Sequence, residues 1–171
     1  QFIYLQLLGS RLASLSGIEA ADARPIQLRY NGVNRANDNN INRRYGSFLH
    51  IEAIDGDWAD NHFPNDTGGN IYSKGRPDVK WDIRSNETLG PDPERYRADG
   101  WSKNSNEAND DWSDLHRFMR VINNNSDDDY LKTVEQVVDV DQWARWFAFM
   151  TIVLSRETNL SNGTDDDYKF Y

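Results

Sequence analysis

Cysteine is absent from the 171 residues, which excludes disulfides, cysteine-ligated zinc and a thiol nucleophile. Histidine is scarce. His50, His62 and His116 are the three in the chain, and their spacings of 12 and 54 residues give no i,i+4 metal pair on a helix. Basic residues are outnumbered, 19 Lys and Arg against 28 Asp and Glu, for a net charge of −9. The Lys and Arg clusters that a general nucleic-acid binder needs for phosphates are missing. So are long apolar runs. The nearest, Trp143–Leu154, has 12 residues and contains Arg145, short of the ~20 that a membrane helix requires. Neither a phosphate-binding P-loop, a G-x-G-x-x-G fingerprint nor a G-x-S-x-G elbow occurs.

What is abundant is Asp and Asn, 21 and 18 residues against 7 Glu. These two favour turns, caps and left-handed backbone over element interiors, so long stretches should be loop. Mean hydropathy is −0.85. Yet aromatics make up 12%, including six Trp, which separates the chain from disordered acidic sequences and supplies a core for about one domain. Oxygen-rich side chains of this kind suit divalent cations.

The chain opens on Gln1 inside an apolar pattern, with no basic leader before it. It closes on Asp167-Tyr-Lys-Phe-Tyr171, which reads as the beginning of a strand. The expectation is an internal piece of a longer protein. Tyr4, Leu5, Leu8, Leu12 and Leu15 mark one face of a first helix, ending near Gly17. Ile26–Tyr30 and Tyr45–Glu52 alternate as strands and are expected to pair antiparallel around the Asn-rich loop Asn31–Arg44. A short helix over Asp57–Phe63, a turn at Asp66–Asn70 and a strand at Ile71–Lys74 follow. Pro77–Asn109 reads mainly as loop, with a short helix at Pro93–Ala98. Helices are expected over Asp110–Asn124, after Ser126–Asp129, and from Asp139 to about Ser155. The last is apolar nearly all round, as in the buried spine of a helical half.

Three acidic groups compete for a functional reading. Asp127-Asp128-Asp129 is explained by helix capping. Asp55, Asp57 and Asp60 lack the register of a calcium loop. The third, Asn159 to Asp167, follows the most apolar helix and offers the oxygen ligands that magnesium or manganese takes. Five Asn-x-Ser/Thr sequons, at Asn65, Asn86, Asn124, Asn159 and Asn162, weigh little, since about two arise by chance at this Asn content.

Several motifs, in order along nearly the whole chain, resemble one family. They are Tyr45-Gly-Ser-Phe-Leu-His-Ile-Glu52, Asn61-His-Phe-Pro64, Gly69-Asn-Ile-Tyr-Ser-Lys74, Asp110-Asp-Trp-Ser-Asp-Leu115, Val138-Asp-Val-Asp-Gln-Trp143 and Glu157 to Tyr168. Together they are similar to the spore coat protein H (CotH) kinase family, atypical protein kinases of spore coats and of secreted or surface proteins. The resemblance implies an α+β, protein-kinase-like fold, here partial: residues 1–55 a small-lobe helix, antiparallel hairpin and hinge, and 56–171 a mainly helical large lobe. It implies ATP and Mg2+ or Mn2+ as cofactors, a secreted or coat protein as substrate, and a place outside the cytoplasm, with no nucleic acid and no membrane span.

By the same resemblance, Leu5–Leu15 is the regulatory helix, Glu52, Ala53 and Ile54 form the adenine-binding hinge, and Arg156–Asp167 is the catalytic loop. Phosphoryl transfer needs one group to orient the attacking hydroxyl and another to hold metal on the phosphates. The metal position falls on Asp167. Five residues earlier stands Asn162, or Ser161 with one insertion, and neither is a carboxylate base. Asn162 is therefore assigned to metal with Asp167, and Asp165 or Asp166 to the catalytic role. The second metal-binding aspartates and the phosphate-covering lysine of the family are expected outside this chain, so the piece alone should be inactive. Two other readings stand beside this one: a kinase-like surface module that binds without catalysis, and a calcium-stabilised extracellular structural domain.

Overall fold

The computed structural model describes residues 4–35, 48–74, 90–123, 129–155 and 169–171. The protein is mixed α and β, with small antiparallel sheets and several helices. It divides into two compact units, Gln1–Ala53 and Ile54–Tyr171.

In the first unit, helix α1 (Leu5–Leu15) precedes strand β1 (Ala23–Ile26), a small hairpin of β2 (Arg29–Tyr30) and β3 (Val33–Asn34), and strand β4 (Phe48–Ile51). Strands β1 and β4 pair antiparallel, Ala23 opposite Ile51 and Ile26 opposite Phe48. An antiparallel pair with β4 forms as expected, but its first strand is Ala23–Ile26, which shares only Ile26 with the expected Ile26–Tyr30; Arg29–Tyr30 pairs with β3 instead. Asn31 and Gly32, at φ of 49° and 78°, turn the chain at once, because Asn-Gly tolerates the two positive φ values of a type I′ hairpin. Composition alone had made the same Asn the start of a long loop. The expected apolar face of α1 is another correction. Leu5, Leu8 and Leu15 are exposed, and the helix buries only Ala13.

The second unit is built on a three-stranded sheet of order β6-β5-β7, from β5 (Tyr72–Lys74), β6 (Trp101–Lys103) and β7 (Lys169–Phe170). Both neighbours pair antiparallel with β5, so Tyr72 stands between Lys103 and Phe170. Strand β6 lies where loop was expected, since three residues between polar stretches give too short an alternation to detect. Helix α2 (Gly56–His62) matches expectation. Asp55 caps it, its Oδ1 accepting from the backbone N–H of Asp57 at 3.1 Å and of Trp58 at 3.4 Å. One member of the second acidic group is thereby a cap. Helix α3 (Pro93–Ala98) begins with Pro at its first position and Asp92 as cap, as expected.

Helix α4 (Ser113–Ile122) supplies the largest share of the core. Its Leu115 and Met119 pack with Tyr72, Tyr96, Trp101 and Trp112, all buried. Trp112 stacks on Tyr96 at 5.4 Å and meets Tyr72 at 5.1 Å. A second cluster joins Trp58, Ala59 and Ile71, with Ile54 and Phe63 against them. After α5 (Tyr130–Val134), Asp139 caps α6 (Val140–Ile152), accepting from the Gln142 N–H at 2.9 Å. Asp129 precedes α5 but makes no cap bond; its carboxylate holds Lys132 at 2.6 Å instead. The expectation that α6 is a buried spine is overturned. None of its residues is fully buried, and Ile152 is 78% exposed. Of its aromatics, Trp143 packs against Phe118 and Phe170. The spine is α4, whose apolar residues share one face while those of α6 are spread around the axis.

Candidate functional site

Strand β5 brings two polar systems together. On one edge, Tyr72 donates its hydroxyl to Asp114 Oδ1 at 2.6 Å while Asn70 Nδ2 donates to Oδ2 at 2.7 Å. Asp114 lies in the first turn of α4, where a negative charge is favoured by the helix dipole. Both of its oxygens are engaged, so it organises neighbouring groups rather than abstracting protons. Burial, followed by the Asp114 carboxylate, pushes the Tyr72 phenol far above its ordinary pKa. On the other edge, Lys74 is buried with its ammonium 2.8 Å from Asp99 and 5.5 Å from the Trp101 ring.

The turn before β5 is braced by Asn and Ser. Ser105 Oγ accepts from the Ile71 N–H at 2.8 Å and donates to the Gly69 carbonyl at 3.0 Å. Asn106 Nδ2 reaches the carbonyls of Gly68 and Gly69, each at 2.9 Å. A Cβ at Gly69 would lie 2.6 Å from the Tyr171 ring, so a larger residue there would have to displace that side chain. The Tyr171 hydroxyl in turn accepts from the Gly69 N–H at 3.3 Å and donates to the Asp66 carbonyl.

Beside this network lies a cavity of about 290 Å³. Phe63, Phe118, Trp143, Phe170 and Tyr171 form its aromatic walls, and Asn70, Tyr72, Asp114, Asp139 and Gln142 its polar side. That volume is at the low end of small-molecule sites, ~300–1,000 Å³. An apolar planar group with a few donors on one edge is what such a lining accepts.

The three residues expected as a hinge are all described. Glu52 is committed to its own hairpin: its N–H donates to the Asp22 carbonyl at 2.8 Å and its Oε2 accepts from the Asp22 N–H at 3.1 Å. Ala53 is exposed, and its N–H and C=O make no hydrogen bond among the described residues. Ile54 is half-buried, and its carbonyl accepts from Lys169 Nζ at 2.8 Å. Thus β7 folds back beside Ile54. Lys169, Tyr72, Asn70 and Asp114 carried no expected role. Alternation around Tyr72 and an Asp in a first helical turn were their only traces in the sequence. Asn162, Asp165, Asp166 and Asp167 lie outside the described residues, as does the whole of the expected loop Arg156–Asp167.

Of the two other acidic groups, Asp55 caps α2, and Asp129 holds Lys132 instead of capping α5 as expected. Two aspartates outside those groups are also held locally. Asp111 Oδ1 accepts from the Ser113 N–H at 2.9 Å, and that bond holds its carboxyl below the usual range. Asp110 is held lower than usual first by Arg97 and then by the Trp112 indole, whose Nε1 donates to it at 2.9 Å. No helix among the described residues is long and apolar enough to cross a membrane.

No curated protein matches the chain. A family model described as CotH kinase protein matches residues 7–166. That span contains Glu52–Ile54, Asn162, Asp165 and Asp166. The chain belongs to the CotH kinase family.

Proposed function

We propose that this chain forms part of the small lobe with its hinge (residues 1–55) and part of the large lobe (56–171) of an ATP-dependent protein phosphotransferase, acting on Ser or Thr hydroxyls of secreted or spore-coat proteins. Family membership over residues 7–166 carries the reading. The donor and acceptor of exposed Ala53, without partners among the described residues, support it, because a purine edge needs one of each from a backbone. The contact of Lys169 with the Ile54 carbonyl supports it further, since it draws the strand that follows residues 156–168 toward the hinge.

In this reading Asp167 and Asn162 hold Mg2+ or Mn2+ on the phosphates, and Asp165 or Asp166 orients the attacking hydroxyl. The bound cation neutralises charge on the transferred phosphoryl group. The chain's own part is to position: the hinge backbone fixes the base, and the loop fixes the hydroxyl and the metal.

The test uses the natural full-length protein. Metal-dependent ATP binding is measured by calorimetry for wild type and Asp167→Ala. Loss of binding in the variant supports the assignment, and unchanged affinity overturns it.

A further inference from the structure

The solvent face of α4 differs chemically from its surroundings. Ser113, His116, Arg117 and Arg120 recur at i, i+3, i+4, i+7 spacing, on the side opposite the buried Leu115 and Met119. With Asn123, and Thr133 of α5, they line an open groove of about 740 Å³. In a chain of net charge −9, the described residues that line the groove include no carboxylate.

A solvated helix face is the plain explanation, and Arg145 of α6 is equally exposed and without a partner among the described residues. What marks this face is that two such cations and His116 converge on one groove, while most other described cations of the unit are held. Lys74, Arg95, Arg97 and Lys132 each hold a carboxylate. Lys103 and Lys169 are bound to backbone carbonyls. Arg117 and Arg120 have neither an ion pair nor a hydrogen bond among the described residues. His116 is held from behind, its Nδ1 3.4 Å from the hydroxyl of buried Tyr96, so Nε2 is the ring nitrogen left for a ligand.

We infer that this groove docks a phosphorylated serine or threonine of a partner protein. Two guanidiniums one helical turn apart match the three oxygens and the charge of about −1.5 to −2 on a phosphate monoester. A single carboxylate would occupy only one planar fork. The groove is far larger than one anion, and Val121, Asn123 and Thr133 continue it beyond the arginines, which leaves room for the flanking peptide. The inference is independent of the phosphotransfer reading, because docking requires no catalysis.

The experiment titrates the natural full-length protein with a rhodamine-labelled peptide of alanine and glycine around a central phosphoserine, followed by fluorescence anisotropy. The unphosphorylated peptide and inorganic phosphate serve as the other probes. The phosphopeptide is expected to bind at least tenfold more tightly than the serine peptide. The Arg117→Gln/Arg120→Gln variant should erase that difference, and Arg145→Gln, outside the groove, should keep it. Equal affinity for the two peptides overturns the inference, and so does a preference that survives in the double variant. Inorganic phosphate binding as tightly as the phosphopeptide reduces the groove to a free-anion site and also overturns it. Both arginines are exposed, so far-UV circular dichroism should be unchanged. If the double variant nevertheless fails to fold, each single substitution is expected to weaken phosphopeptide binding several-fold, and no weakening in either rejects the proposal.

Discussion

Tyr72, at the centre of the sheet, donates its hydroxyl to Asp114 in the first turn of α4 across 2.6 Å. This bond joins strand to helix over 42 residues of sequence, and Asn70 completes it from the turn before the strand. Its two ends are unequal. Tyr72→Phe removes a donor and leaves Asp114 with its other partners, for about 0.5–1.5 kcal/mol. Asp114→Ala strips the acceptor from a buried hydroxyl and from an amide, for about 1–3 kcal/mol. Urea unfolding of both variants checks the order, and a greater loss from Tyr72→Phe would contradict it.

Alkaline pH should act through the same region. Burial raises the pKa of Tyr72 strongly and that of Tyr96 to about 12. In the unfolded chain both ionise near the ordinary value of about 10. Folded values above unfolded ones mean stability that is intact below about pH 10 and lost as pH climbs beyond it. Absorbance at 295 nm should therefore show these two phenols ionising together with unfolding, and Tyr72→Phe should shift that transition to higher pH. An unshifted transition would remove Tyr72 from the account.

Acid pH should act through Asp110. Its pKa is depressed by Arg97 and then by the Trp112 indole, so its contribution is present above the unfolded value of about 3.9 and fades as pH falls through the folded one. Melting temperature measured from pH 5 down to pH 2 should fall less steeply in Asp110→Asn than in wild type. Parallel profiles would show that the Arg97 pair is electrostatically silent, as many exposed pairs are.

The hinge reading makes its own demand on Ala53. Its N–H has no partner among the described residues, so Ala53→Gly, which keeps that donor, should leave ATP affinity within about twofold. Ala53→Pro removes the donor and should weaken ATP at least tenfold. Isothermal calorimetry on the natural protein separates the two. Equal affinities would place the base elsewhere.

The sequence was most legible where a single local rule decides the outcome. The helix opening at Asp139 and the short helix from Pro93 form where they were expected, with Asp139 and Asp92 as caps, whereas the cap at Asp55 was not foreseen and the one expected at Asp129 is not made. It was least legible where partners come from far away. Strand β6 exists because Trp101 and Lys103 find β5 across the intervening segment, and three residues carry no readable period. The misjudgement of α6 has the same origin. Its apolar residues distribute around the axis, so the pattern reports hydrophobicity without saying that Trp143 is the residue that meets Phe118 or that no residue of the helix is fully buried. The Asn31-Gly32 turn was readable in principle, since Asn-Gly is a strong hairpin signal, but the surrounding Asn content hid it. At the site, the aspartates after Asn159 were singled out by their place after an apolar helix and by motif similarity, and they lie outside the described residues. Asn70, Tyr72 and Asp114 were not singled out, because their roles depend on a contact between segments.

The central claim is phosphotransfer, and one measurement meets it directly. The natural full-length protein is incubated with radiolabelled ATP, Mg2+ or Mn2+ and a mixture of secreted or coat proteins from its own source, beside Asp167→Ala and an Asp165→Asn/Asp166→Asn variant. Label carried on the γ-phosphate should appear on Ser or Thr, should require the metal, and should vanish in both variants. Transfer that is undiminished in both variants, or no transfer from γ-labelled ATP while the protein still binds these targets, would contradict the account.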